Sequence, residues 1–386
     1  MPIHRSFSEC FLLDPSITFL NHGSFGATPI PVFDEYQRIQ RELENEPVEF
    51  LGRKASGLLQ QSRETLAKYL SVVAPDNIVY VPNSTHGINI VAHSLDLQPG
   101  DEVLTTDHEY GAMDRTWQFI SSQKGFSYRS VEISLPVSSV AQLLDDIFSQ
   151  VTSKTRVIYL SHITSPTALL FPVKEICHKA REMNILTVID GAHAPGQIDL
   201  ELDLLGADFY TGNCHKWLCA PKGSAFLFAR KEVQNLIQPL VVSWGWHAEI
   251  PGPSQFIDYL EWTGTRDISP YLAVPSAIKF QASNDWHTVR AQCHELAVMI
   301  NQELCDLFHI ESLSTSSDWF GQMVSIPLPT KLSPEALQQR LFNDFRIEVP
   351  IVCWKGKTLV RVSVQAYNTS GHLQKLVSAL KFILDG

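Results

Sequence analysis

The sequence predicts an α/β protein with a large domain on a mainly parallel sheet, residues 20–268, and a smaller α+β domain made of residues 1–19 and 269–386. Three observations predict it. Short β-branched apolar runs alternate with stretches of helical spacing, as expected for strands buried on both faces and covered by helices. These runs end in polar or glycine-containing turns, and such sheets place ligands at the carboxyl ends of their strands. Past Ser269-Pro270 the pattern changes to long helices, a few strands and a last helix.

Taken in order, Ile17-Thr18-Phe19-Leu20 is a short apolar run that stops at Asn21-His22-Gly23-Ser24-Phe25-Gly26. Two glycines so close together imply a turn, either a plain one or one where the backbone approaches something else. Residues 31–70 have helical spacing, with Leu58, Leu59, Leu66 and Leu70 as the apolar stripe and breaks expected near Pro47 and Gly52. Ile78-Val79-Tyr80-Val81 is a strand, and Pro82-Asn83-Ser84-Thr85-His86-Gly87 turns into a helix beginning near Ile88. Ser84 or Thr85 either caps that helix or offers its free N–H groups and dipole to an anion.

Glu102-Val103-Leu104-Thr105 is the next strand, with Asp107-His108-Glu109-Tyr110-Gly111-Ala112 after it. Arg156-Val157-Ile158-Tyr159-Leu160-Ser161 is another, ending in His162-Ile163-Thr164-Ser165-Pro166-Thr167. The spacing of Val173, Ile176, Cys177, Ala180 and Met183 is helical. Ala225-Phe226-Leu227-Phe228 reads as a strand, of the antiparallel kind such sheets often include. Ser243-Trp244-Gly245-Trp246-His247 reads as a pocket wall rather than core. In the last third, Met323-Val324-Ser325-Ile326, Ile347-Glu348-Val349-Pro350-Ile351 and Leu359-Val360-Arg361-Val362-Ser363 are strands, and Leu373, Leu376, Val377, Leu380 and Leu384 mark a final helix.

The chemistry concentrates in residues 186–216. There Leu186-Thr187-Val188-Ile189 runs into Asp190-Gly191-Ala192-His193, and Asp208-Phe209-Tyr210-Thr211 runs into Gly212-Asn213-Cys214-His215-Lys216-Trp217. A carboxylate ending one buried strand and a lysine after the next is the arrangement needed to hold pyridoxal 5'-phosphate. The lysine amine must be neutral to condense with an aldehyde, and a semi-buried site near cations lowers its pKa toward that state. Lys216 is the candidate. A buried carboxylate keeps the ring nitrogen of the cofactor protonated, which makes the ring an electron sink. Asp190 fits that role, and the His193 imidazole can hydrogen-bond the phenolic oxygen. Singly, these residues also read as an N-cap, a loop lysine and a core histidine; together, in this order, they read as a cofactor site.

The strings Asp190-Gly191-Ala192-His193, Asn213-Cys214-His215-Lys216-Trp217 and Pro221-Lys222-Gly223 resemble the core of the class V aminotransferase family. Leu20-Asn21-His22-Gly23-Ser24-Phe25-Gly26, Arg361-Val362-Ser363 and Tyr367-Asn368-Thr369 resemble its isopenicillin-N-epimerase-like branch, and the likeness runs from about residue 19 to residue 369. It implies a fold-type-I PLP-dependent transferase fold and action at the α-carbon of an amino-acid substrate. The expected reaction is epimerisation or racemisation; the alternatives are a C–S lyase acting on cysteine- or cystine-type substrates, a cysteine desulfurase, or a catalytically silent homologue. Ser165 stands where desulfurases tend to carry asparagine, and Cys353, the one cysteine placed for desulfurase chemistry, sits between residues that suggest a packed strand end.

By the same resemblance Ser84 and Thr85 meet the cofactor phosphate, and Asn213, His215 and Ser165 belong to the cofactor site. Tyr110, or alternatively His108, stacks on the cofactor ring. Gly264-Thr265 reaches the phosphate of a second subunit, which implies a homodimer with its sites at the interface. Asn21 and His22 line the mouth of the site, and Tyr110, His108 and His22 are the candidates for a second base. Arg361 is the expected anchor of the substrate α-carboxylate. An arginine within an apolar strand is costly to bury without an anion, and its planar fork matches a carboxylate. An internal ion pair or an outward-facing edge position are the other readings.

Composition sets the outer bounds. A chain of 386 residues, 44% hydrophobic and 18% charged, can bury a large core and is long for one compact unit. A net charge of −11 without a basic run argues against nucleic acid and anionic membranes as partners. Residues 1–8 lack a basic segment followed by an apolar one, no apolar run approaches spanning length, and seven scattered cysteines read as reduced thiols with no zinc site. A cytosolic enzyme without a metal is expected.

Overall fold

The computed structural model describes residues 7–385; the readings of residues 1–6, at the start of the expected smaller domain, and of residue 386 lie outside the described residues. Strands are numbered in chain order: β1 (Thr18–Phe19), β2 (Ile78–Val81), β3 (Glu102–Thr106), β4 (Ser127–Val131), β5 (Thr155–Ser161), β6 (Leu186–Asp190), β7 (Phe209–Asn213), β8 (Ala225–Ala229), β9 (Met323–Pro327), β10 (Ile347–Glu348), β11 (Ile351–Trp354) and β12 (Lys357–Ser363).

Seven of them form a sheet in the order β2-β8-β7-β6-β5-β3-β4, in which β8 alone runs antiparallel to its neighbours. Every residue of β2, β3, β7 and β8 is buried, which is why β2 and β8 are continuous apolar runs rather than alternations. Helices Ser84–Ser94, Gly111–Lys124 and Val173–Glu182 fall between the parallel strands as crossovers. The α/β fold is therefore the expected one.

Three local readings change. The edge strand β4 has no counterpart in the sequence reading, because its one-sided pairing leaves Ser127-Tyr128-Arg129-Ser130 mostly outside the core and polar. The helical region breaks at Glu46 (φ −154°), as foreseen near Pro47, but not at Gly52, which sits in a π turn, Phe50–Lys54, leading straight into helix Ala55–Tyr69. The run Ile347-Glu348-Val349-Pro350-Ile351 is two strands: Pro350 has no N–H to give a ladder, so β10 and β11 part there.

β9, β11 and β12 make a separate antiparallel sheet, order β11-β12-β9, near helices Trp286–Phe308, Pro334–Phe345 and Ser370–Asp385. β10 pairs in parallel with β1, Thr18 opposite Ile347 and Phe19 opposite Glu348. The Ser363 N–H then donates to the Leu20 carbonyl at 3.0 Å, which lays residues 21–25 against the end of β12. Among the described residues, no helix is long and apolar enough to cross a membrane.

Candidate active site

The carboxyl ends of the parallel strands β5, β6 and β7 converge on one region. Asp190 is the last residue of β6 and is buried. Burial pushes its carboxyl pKa up, while the Ala192 N–H, donating to Oδ1 at 2.9 Å, and the charge of Lys216 pull the other way.

His193 is buried between two partners. The Trp217 indole N–H donates to Nδ1 at 3.2 Å, and Lys216 Nζ lies 3.3 Å from Nε2. An indole N–H can only donate, so the neutral ring carries its proton on Nε2, the side facing the lysine. Burial, reinforced by the charge of Lys216, holds the imidazole pKa well below its ordinary value, so that tautomer persists.

Burial, and then the charge of Arg361, lowers the Lys216 pKa from 10.5 to about 7. The amine is thus neutral above about pH 7. The rate at which apoprotein condenses with an aldehyde cofactor should fall about tenfold per pH unit below 7 and level off above it, read by stopped-flow absorbance; a flat profile from pH 5 to 8 would contradict the assignment.

The backbone of Lys216 is braced from the N-terminal loop. His22 Nε2–H donates to the Lys216 carbonyl at 3.0 Å, and Nδ1 lies 2.9 Å from the Tyr367 hydroxyl. Gly26 closes that loop at φ +71°, and a Cβ there would stand 2.0 Å from the His215 carbonyl oxygen, so the segment admits only glycine. His22 is fully buried, and burial drops its pKa to about 3. It sits behind the lysine rather than at an open mouth. His215 likewise turns to a carbonyl, with Nδ1 2.9 Å from Ser224 O.

At the start of helix Ser84–Ser94, Asn83 caps the His86 N–H and the Ser84 N–H is held by Asn213 Oδ1 at 2.9 Å. Asn213 thereby ties the end of β7 to this turn. Ser84 Oγ is buried without a partner among the described residues, and Thr85 beside it is exposed. His108 and Tyr110 separate cleanly. His108 is fully buried against Trp354 and Phe171, with Nδ1 2.7 Å from Thr167 Oγ1, whereas Tyr110 is 47% exposed and its phenol is felt by Arg361.

Arg361, on β12, is buried, and among the described residues no acidic side chain bonds it. Nη1 donates to the Ser165 carbonyl (2.7 Å) and Oγ (3.2 Å), Nη2 donates to Ser24 Oγ (3.1 Å), and Nε has no partner among the described residues. The ion-pair and outward-facing readings of this arginine both fail on that geometry. Ser165 here braces Arg361. Ser24 in turn donates to Asn21 Oδ1, and Asn21 Nδ2 donates to Glu348 Oε1 at 2.9 Å, so Asn21 is a link in a chain of polar contacts behind Arg361.

Thr265 and Trp244 lie exposed on the surface of the single chain. Cys353 is exposed too, so its neighbours did not signal packing; it stands opposite Thr358 in the β11–β12 hairpin. Sequence reasoning passed over Trp217 and Ser24. Trp217 could have been found, since an indole N–H next to the lysine can reach whatever the lysine touches; a lone serine in a turn carries no such signal.

The residues present fit pyridoxal 5'-phosphate. A neutral lysine amine stands beside a donor imidazole and a buried carboxylate, and the orphaned Ser84 Oγ at a helix N-terminus offers a donor to a phosphate. The unpaired Arg361 guanidinium suits the carboxylate of a substrate.

Comparison with known proteins points to one family. The family model for aminotransferase class-V matches residues 26–376. The isopenicillin N epimerase of Amycolatopsis lactamdurans is 35% identical over 382 residues, covering 96% of each chain. A putative L-cysteine desulfhydrase of Oryza sativa subsp. japonica is 29% identical over 414 residues, covering 97% of this chain and 84% of that one. Among solved structures, the cystine C–S lyase C-DES in complex with its product cysteine persulfide superposes with a TM-score of 0.83 at 24% identity, covering 95% of this chain and 97% of that one.

Proposed function

Because the chain belongs to the class V aminotransferase family, we propose that it is a pyridoxal 5'-phosphate enzyme acting at the α-carbon of an amino-acid substrate, as an isopenicillin-N-epimerase-like epimerase or racemase. The observation that carries the reading is the Lys216 amine, held near neutrality 3.3 Å from His193 beside a buried arginine without an acid. When bound, the cofactor supplies an electron sink for the substrate α-carbon. Asp190 would hold its ring nitrogen, Ser84 and the helix N-terminus would hold its phosphate, and His193 would donate to its phenolic oxygen. Arg361 grips the substrate carboxylate, and Lys216 takes or returns the α-proton on one face.

Epimerisation needs a second proton donor on the opposite face. Of the three candidates, His22 and His108 are fully buried, which leaves the Tyr110 phenol. The second reading is β-elimination, for which Lys216 alone suffices, and the 29% identity to a putative L-cysteine desulfhydrase favours it. Tyr110→Phe separates the two, because it removes epimerisation and spares elimination. A panel of amino acids assayed for loss of optical rotation, pyruvate and sulfide decides the reaction. A protein without visible absorbance after incubation with the cofactor would end both readings.

Arg361→Lys should raise KM for any amino-acid substrate by about 2–3 kcal/mol, roughly 30- to 150-fold, while sparing the cofactor absorbance. A lysine cannot reproduce the two-pronged contact. Unchanged kinetics would place the carboxylate elsewhere.

The working unit is a homodimer. The exposure of Thr265, Trp244 (86%) and Phe25 (74%) in the single chain supports a second copy covering them. Sedimentation over a dilution series should show loss of activity with dissociation; a fully active monomer would refute the pairing. Seven free thiols support the cytoplasm as its compartment.

A further inference from the structure

Glu109 is a buried carboxyl that the reaction above does not use. It is 6% exposed, and each of its oxygens meets a hydroxyl: Thr106 Oγ1 at Oε1 and Ser161 Oγ at Oε2, both at 2.6 Å. No ion pair to it is present among the described residues. The contrast with Glu102, at the opposite end of β3, is direct, since that buried carboxylate has the Arg129 guanidinium at 2.8 Å and a lowered pKa. A buried carboxylate without a cation is costly, and hydroxyls can accept as readily as donate, so they accommodate a protonated acid.

Its surroundings push the same way. The titratable groups facing it are Asp190 on β6, Asp114 on helix Gly111–Lys124, Tyr128 on β4 and Tyr159 on β5, all acids. Ser161 is the cross-strand partner of Asp190, so Glu109 sits one hydrogen bond and one strand spacing from that carboxylate. It also directly precedes Tyr110. We propose that Glu109 is a positioning residue held as a neutral acid: it pins the Tyr110 turn to the ends of β3 and β5 and leaves the negative charge of the site to Asp190. Burial, opposed by the two hydroxyls, raises its pKa to about 8, in keeping with this geometry. The inference rests on the cofactor reading for its second half only.

Two measurements test it. A carboxyl whose folded pKa is raised binds its proton more tightly folded than unfolded, so between about pH 4.5 and 8 it lowers stability as pH rises. Glu109→Gln keeps the shape and cannot titrate. The melting temperature of the Gln variant minus that of wild type, both as apoprotein, should become more positive by several degrees from pH 5 to pH 8. In the second measurement, binding of pyridoxal 5'-phosphate to apoprotein is titrated by absorbance. Glu109→Ala should weaken it several-fold by freeing the Tyr110 turn, and Glu109→Gln should stay within twofold of wild type. A melting difference independent of pH, or a Gln variant as weak as Ala, would overturn the proposal. If wild type itself failed to bind the cofactor, the functional reading would fall while the melting experiment still decided the charge state of Glu109.

Discussion

Replacing Lys216 with alanine is expected to leave a folded protein that holds no covalently attached cofactor and turns over substrate roughly 10,000-fold more slowly or worse. The change removes the amine that would carry the cofactor and the group that would move the α-proton, two roles that cannot be compensated separately. The fold should tolerate it. The amine has one side-chain hydrogen bond, the 3.3 Å contact to His193, and a site that lowers its pKa to about 7 works against the charged form. The sign follows from linkage: the unfolded lysine binds more protons between about pH 7 and 10.5, so wild-type apoprotein gains stability as pH rises through that window and the alanine variant does not. Loss of the visible band with an unchanged or higher melting temperature at pH 7 checks both halves. In wild type, borohydride reduction and peptide mapping should find the label on Lys216. A label on Lys222, which is exposed six residues on, would move the site.

Asp190→Asn should keep the cofactor bound and cost two or more orders of magnitude in kcat. The amide can still accept from the Ala192 N–H, so the strand end keeps its shape. What it cannot do is hold a proton on a pyridine nitrogen. A carboxylate in a buried site is worth most where water cannot screen it, and Asp190 lies buried at the carboxyl end of β6. Steady-state kinetics beside an absorbance spectrum separate the outcomes. Normal turnover would make Asp190 a structural residue.

The parallel core was legible because strands buried on both faces leave largely apolar runs, and Asp190 and Lys216 stood out because one closes such a strand and the other follows the next with a charge. The edge strand β4 was not legible, since a strand with one neighbour is free to be polar. The division of residues 347–351 into β10 and β11 hung on one missing N–H at Pro350 and on a partner, β1, far away in the chain. The same distance hid the bracing of the site. That His22 would lie behind Lys216, and Ser165 and Ser24 against Arg361, depends on tertiary contacts spanning 194, 196 and 337 positions. His108 and Tyr110 are two residues apart, and only their backbone course sends one into the core and the other outward.

The parallel pairing of β1 with β10 bears on how the protein is made. Thr18 leaves the ribosome long before its partner Ile347, about 330 residues on, and Tyr367, which His22 needs, comes later still. At about 5–20 residues per second, the first loop waits tens of seconds for them. The seven-stranded sheet, complete by Ala229, can assemble in that interval with Asp190 and Lys216 in place, but the wall bearing Arg361 cannot. A nascent chain stalled before residue 347 should therefore expose the lysine unbraced, and binding competence should arrive with residues 347–367 rather than grow with length.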